Sequence, residues 1–376
     1  MMHKSAWAEI CIGDLEYNVN VIRSRLPANT AICGVLKADA YGHGMTGVRN
    51  CLAEKNLVNL VAVGKMSELV LLNASAAPGG PGTLLLGDAE ADELEPYLTD
   101  GSFDPDSVFF SICSMRQFRE FARLGEKLNI RIRVHIRTDG WDSGMGLGYE
   151  EFLHCEDELF SVAHVAVCGL YSHLYTSYSG DTEGIEQELR RFDAFVGRVR
   201  PEHRTALIVH ILNSSLVFLF PQYAYDMVRI GTALYGLPSG DEGALRPILR
   251  ICARVFDVRE VDDAAPLSYV SAISHAGRRR IARIMLGYWD SPFLLTQKEV
   301  RIRIRGRLFL LADDVCMDNL AVDVSDADDI TVGDIAVFLG DEGVSVSDIM
   351  RRNNVSYVHS EWFSMTAGRL EKVYVC

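Results

Sequence analysis

Short apolar runs recur along the first two thirds of the chain. Ile32, Cys33, Gly34, Val35 and Leu36 form the first, and others follow at 60–63, 83–86, 108–112, 130–136, 165–171, 207–212 and 227–230. Short, nearly continuous hydrophobic runs are what strands buried on both faces require. Helical patterns lie between most of them. Behind Asp14, an expected helix cap, Leu15, Val19, Ile22 and Leu26 fall on one helical face. A second helix is expected over 46–57. Ser114 and Gln117 read as a capping box, with Met115, Phe118, Phe121 and Leu128 as the buried stripe behind it. Ile185, Leu189, Phe192 and Val196 repeat in the same way, and Pro78-Gly79-Gly80-Pro81-Gly82 marks the loop before the third run.

Eight strands alternating with helices predict an α/β fold, a (β/α)8 barrel over 11–240, followed by a different kind of domain. An open doubly wound sheet is the alternative the same alternation allows. Beyond Gly240 the helical pattern thins, and alternating segments appear at 300–311, 320–324 and 335–339. Residues 241–376 therefore read as a β-rich domain, with 1–10 expected to pack on it.

The chain has 376 residues, enough for two domains. A net charge of −14 argues against nucleic acid or an anionic membrane as partner. The nine cysteines are scattered, with no CxxC, and read as reduced thiols of a cytoplasmic protein. No metal site is expected. The N-terminus carries no signal-peptide core. The longest apolar segment, 207–220, is broken by His210, Asn213, Ser214 and Ser215, so no membrane span is expected.

Candidate chemistry sits at strand ends, where barrel enzymes build their sites. Lys37 directly follows the first apolar run. Desolvation there would lower its pKa and make the amine a nucleophile suited to a Schiff base, although a strand-end lysine reaching to solvent reads equally well. Tyr41 lies four residues on, and Gly42 and Gly44 allow close backbone approach. His173 follows the sixth run, and Asn213 and Ser214 the seventh. Arg229 lies inside the eighth, where a buried guanidinium stays charged and needs partners. Alone, His173 reads as a structural histidine and Asn213-Ser214 as a turn or cap. Together the four strand ends converge on one site.

The string VLKADAYGHG, residues 35–44, resembles the cofactor-lysine motif of the alanine racemase family, and GLYSHL, HILNSSL and MVRIGTALYG extend the resemblance along the chain. It implies a pyridoxal 5'-phosphate enzyme in which Lys37 binds the cofactor covalently and Arg229 hydrogen-bonds the pyridine nitrogen. Tyr41, Asn213, Ser214, Gly231 and Thr232 would contribute to cofactor binding, with His173 and His210 beside Arg229. APLSYVSAIS resembles the segment of the second catalytic base, which puts that role on Tyr269, supplied by the partner in a homodimer. MLGYWDSP and DDVCMDN resemble two substrate segments and nominate Tyr288 and Met317. The implied reaction is two-base interconversion of L- and D-alanine, supplying D-amino acid for peptidoglycan. Serine as substrate, or a pyridoxal-phosphate decarboxylase of the same architecture, are the alternatives. A decarboxylase would be expected to place a carboxylate where Arg229 stands.

The sequence also departs from the family pattern. An arginine usually follows GMG, and here DSGMGLGY carries Leu147. Arg137 stands near the position where some members have a carbamylated lysine. Gly140-Trp141 reads as a small insertion, and Met365 falls where many members have a tyrosine. A looser, less polar substrate pocket is the expectation.

Overall fold

A computed structural model describes residues 4–74, 79–140, 144–237, 243–262, 267–268, 277–297, 299–354, 364 and 367–376. The expected strands form. Ala31–Val35, Leu60–Val63, Gly82–Leu85, Val108–Ile112, Ile132–Asp139, Val165–Tyr171, Ile208–His210 and Met227–Ile230 make one parallel sheet, in which the eighth strand pairs with the first. The seam between the seventh and eighth is bridged by Asp226 N donating to Val209 O (3.1 Å) and Arg229 N donating to Leu212 O (3.0 Å). The strand edges thus meet around a nearly closed barrel, not an open sheet. Helices cover the outside, among them Ile12–Ser24, Met45–Glu54, Met115–Leu128 and Thr182–Val196.

Local chemistry differs from expectation at two helix starts. The first helix begins at Ile12, so Asp14 sits in its first turn rather than at the cap, where its charge still opposes the helix dipole. Ser114 does cap its helix, accepting from Gln117 N. The Gln117 side chain, however, accepts from Cys113 N, one residue earlier than a reciprocal box requires, and donates to Asp88 Oδ1 and Ala89 O. It ties the loop after the third strand to this helix.

The second sheet is mostly antiparallel. Its long strand Leu249–Val261 pairs with Ala6–Cys11, Arg279–Ile284 and Ile335–Leu339, and Ala6–Cys11 pairs in parallel with Glu371–Val375. Segment 300–311 is not one strand but a hairpin, Arg301–Ile304 with Arg307–Leu310. It turns through Arg305 (φ 46°) and Gly306 (φ 78°), the positive-φ pair that two-residue hairpin loops need. No helix among the described residues is long and apolar enough to cross a membrane.

Candidate active site

The cofactor-lysine motif folds into an unusual turn. Ala38, Asp39, Ala40 and Tyr41 all have φ between 53° and 55°, a left-handed helical turn built from non-glycine residues. Left-handed helix costs L-residues on the order of 1–2 kcal/mol each, so the turn needs external partners. Glu68 supplies one set. Its carboxylate accepts from Ala38 N (2.6 Å), Gly64 N (2.8 Å) and Lys65 N (3.1 Å), holding the turn to the loop after the second strand. Buried His43 supplies another, its Nδ1–H donating to Ala40 O (2.9 Å) and Tyr41 O (3.0 Å) while its ring stacks on Tyr235. Burial outweighs these hydrogen bonds and lowers the His43 pKa to about 4, so the ring is neutral. From the β-rich domain, Tyr374 Oη donates to His43 O (3.2 Å) and Gly44 O (3.0 Å), and Lys372 Nζ lies 3.5 Å from Asp39.

This turn presents Lys37 at a cavity of about 280 Å³ shared with Arg137, Tyr171, His173, Tyr175 and Arg229. In the single chain Lys37 is exposed at the cavity mouth, and none of the described lining residues comes from the β-rich domain.

Arg229 is buried and held without a carboxylate. Its Nη1 donates to His210 Nδ1 (2.7 Å) and His210 O (3.2 Å), and Nη2 to Ser172 O (2.8 Å) and Ile211 O (3.3 Å). Among the described residues its Nε–H has no acceptor, and the side chain forms part of the cavity wall. Burial lowers its pKa to about 10, so it remains cationic at neutral pH. An arginine only donates, so His210 Nδ1 accepts and its proton sits on Nε2. That proton goes to His135 Nδ1 at 2.9 Å. Burial first, and then the Arg229 charge, depress both imidazoles: His135 to about 3, His210 well below the ordinary value. Tyr171 stacks on His210 with ring centroids 4.8 Å apart and packs under the Arg229 guanidinium.

The other sequence-nominated residues fall into separate groups. Ser214 Oγ accepts from Gly231 N (2.9 Å) and Ala233 N (3.2 Å), which leaves its own O–H to donate. The Tyr41 hydroxyl lies beside Gly231, where an added Cβ would meet it at 2.6 Å. Tyr41, Ser214, Gly231 and Thr232 thus make a cradle of hydroxyls and backbone suited to a phosphate. Asn213 is a turn former: its Oδ1 accepts from Ser215 N and Oγ, and its Nδ2 donates to Ser177 Oγ. His173 lines the cavity, and the protein crowded around its ring, followed by the charges of Arg229, Arg137 and Lys37, lowers its pKa.

Tyr288 and Met317 come together in the β-rich domain. Tyr288 N donates to Cys316 O, and Trp289 N to Met317 O. Arg369 spans the two loops through Asp290 and Asp318. Neither Tyr288 nor Met317 lines the Lys37 cavity. Tyr269 and Met365 lie outside the described residues. Sequence reasoning missed Glu68, His135 and Tyr374. For His135 the signal was a lone histidine inside an apolar strand. For Glu68 the signal was an acidic residue in the first turn of the helix Met66–Ala74, where it reaches back to Gly64 N and Lys65 N, although its bond to Ala38 N is distant in sequence. For Tyr374 there was none, since its partners are backbone carbonyls distant in sequence.

A (β/α)8 barrel with a lysine just past its first strand and an arginine without a carboxylate partner in its eighth, followed by a β-rich domain, defines a lysine-dependent barrel enzyme. The alanine racemase N-terminal domain model matches residues 10–239, and the C-terminal domain model matches 248–374. The chain belongs to the alanine racemase family. It is 27% identical to an alanine racemase of Desulfovibrio desulfuricans over 99% of this chain and 98% of that relative. An alanine racemase structure from Clostridium difficile 630 superposes with a TM-score of 0.89 at 26% identity, over 100% of this chain and 97% of that one. One from Bartonella henselae, with covalently bound pyridoxal phosphate, shares the fold at a TM-score of 0.81 and 20% identity, over 99% of this chain and 100% of that one.

Proposed function

We propose that this protein is a pyridoxal-phosphate-dependent alanine racemase, working in the cytoplasm as a homodimer with shared sites and supplying D-alanine for peptidoglycan. The observation that carries the reading is the juxtaposition of Lys37 and Arg229 on one cavity, with no carboxylate among its described lining residues. That separates it from the decarboxylase alternative.

The donor set fits the cofactor. Lys37 provides the amine that binds its aldehyde. Arg229 Nε–H provides a donor for a ring nitrogen. Tyr41, Ser214 and the backbone at Gly231 and Thr232 provide the phosphate cradle. When bound, the cofactor acidifies the substrate Cα–H by acting as an electron sink. Arg229 would offer its hydrogen bond to the ring nitrogen without giving up a proton, which would limit that sink and favour simple proton return over side reactions. Lys37 moves the Cα proton on one face, taking it from D-alanine. Tyr269 of the partner subunit moves it on the other, taking it from L-alanine.

Two features support sharing between subunits. The cavity draws its described lining from the barrel alone, and the loops carrying Tyr288 and Met317 leave Trp289, Leu295 and Met317 exposed on the β-rich domain. A twofold pair would bring each such face to the other subunit's barrel.

The test is a chiral assay of purified protein with L- and D-alanine, coupled to borohydride reduction and peptide mapping. The expected outcome is interconversion, with the cofactor label on the Lys37 peptide. Cofactor-loaded protein that interconverts neither enantiomer, or a label on another lysine, would overturn the assignment.

A further inference from the structure

We propose that Arg137 receives the substrate's carboxylate; this rests on the amino-acid racemase reading and deepens it. Arg137 lies near the end of the fifth barrel strand, Ile132–Asp139, and lines the Lys37 cavity. An amino acid brings a carboxylate into that space, and a carboxylate leaving water requires a cationic donor. Three cations line the cavity. Lys37 is the attachment point of the cofactor. Arg229 has both Nη groups held by three carbonyls and His210. Arg137 donates only to the Tyr175 hydroxyl and pairs with no carboxylate among the described residues. Most of a planar fork that matches a carboxylate is therefore available at the mouth.

The neighbouring loop shows why the guanidinium comes from position 137. Residues 144–148 fold back along the fifth strand, with Leu147 paired to Thr138 and its side chain fully buried. Gly146 lies against the Arg137 backbone, where an added Cβ would come within 2.7 Å of Arg137 O. This loop fills the core and provides no charge. Arg137, on the adjacent strand, projects the charge that the loop lacks.

The experiment uses the full-length, cofactor-loaded enzyme, with Arg137→Gln and Arg137→Lys. Ligands are alanine, alaninamide (no carboxylate) and propionate (no amine). Arg137→Gln is expected to raise the KM for both alanine enantiomers and the inhibition constant of propionate together, by about 10- to 100-fold. Alaninamide, followed by α-proton exchange in deuterated solvent, is expected to be unmoved, and Arg137→Lys to recover part of the loss. Visible absorbance of the bound cofactor checks that the variants remain assembled. Equal weakening of alanine and alaninamide, or propionate binding that ignores the substitution, overturns the proposal. Propionate titration followed by cofactor absorbance needs no turnover. A wild type that fails to racemise alanine therefore defeats the function reading, while this titration still decides the role of Arg137.

Discussion

Arg229 Nη1 stands 2.7 Å from His210 Nδ1, and that contact sets the tautomer of two buried rings. His210 must carry its proton on Nε2, so His135 accepts at Nδ1 and keeps its proton on Nε2, which has no partner among the described residues. A guanidinium thus terminates a chain of neutral imidazoles.

The pH dependence of stability follows from that chain. The folded His135 pKa is depressed to about 3 from 6.5. An unfolded chain therefore takes up a proton near pH 6.5 that the folded chain refuses. The stabilisation is complete above that value and is lost as pH falls toward 3. Between about pH 6 and 5, the unfolding free energy of wild type should fall more steeply than that of His135→Gln, by up to ~1.4 kcal/mol per pH unit. Urea titrations of the apo protein at several pH values measure the difference. Parallel pH profiles would show that His135 is not held neutral.

Glu68 is expected to control cofactor retention through the backbone. Its three N–H contacts stabilise a left-handed turn that otherwise opposes the placement of Lys37. Glu68→Ala should destabilise the protein by about 1.5–3 kcal/mol and raise the cofactor concentration needed for half-occupancy. Glu68→Gln should restore part of both. Unchanged occupancy in Glu68→Ala would mean that the turn holds its shape without the carboxylate.

Gly47 and Tyr374 should be energetically coupled across the two domains. A Cβ at 47 would lie 2.0 Å from the Tyr374 ring. Gly47→Ala is therefore expected to cost about 1–3 kcal/mol by overpacking in wild type and much less in a Tyr374→Ala background. Denaturation of the two single variants and the double variant closes the cycle. Additive effects would show that the C-terminal strand does not press on the helix Met45–Glu54 that follows the cofactor turn.

Subunit complementation tests the shared site. Lys37→Ala and Tyr269→Phe protomers are each expected to be nearly inactive, and mixing them should restore part of the activity, because one hybrid site regains both bases. No recovery under demonstrated subunit exchange would place the two bases on the same chain.

Much of this architecture was legible before any coordinates. Continuous apolar runs such as Leu60–Val63 announce strands buried on both faces, and the helical stripe of Met115, Phe118 and Phe121 announces the layer that covers them. These signals are local, because burial of one face repeats with the period of the backbone. Lys37, His173, Ser214 and Arg229 were likewise readable as polar residues at the ends of such runs. The local pattern left open whether the sheet closes, and it ran the hairpin at 301–310 together as one segment, since a two-residue turn barely interrupts alternation.

Tertiary structure alone decided the rest. The hydrogen-bonded sequence from Arg229 through His210 to His135 joins three strands whose register no periodicity encodes. The left-handed turn at 38–41 is held by Glu68 from a distant helix and by buried His43 just beyond it, while Tyr374 fixes the carbonyls at 43 and 44 from the other domain; propensity would not place alanines there. Lys37 was expected to be desolvated by its position after a buried strand. In the single chain it stands exposed, because water is excluded by what packs over a residue in space, and a strand end is open until another surface covers it.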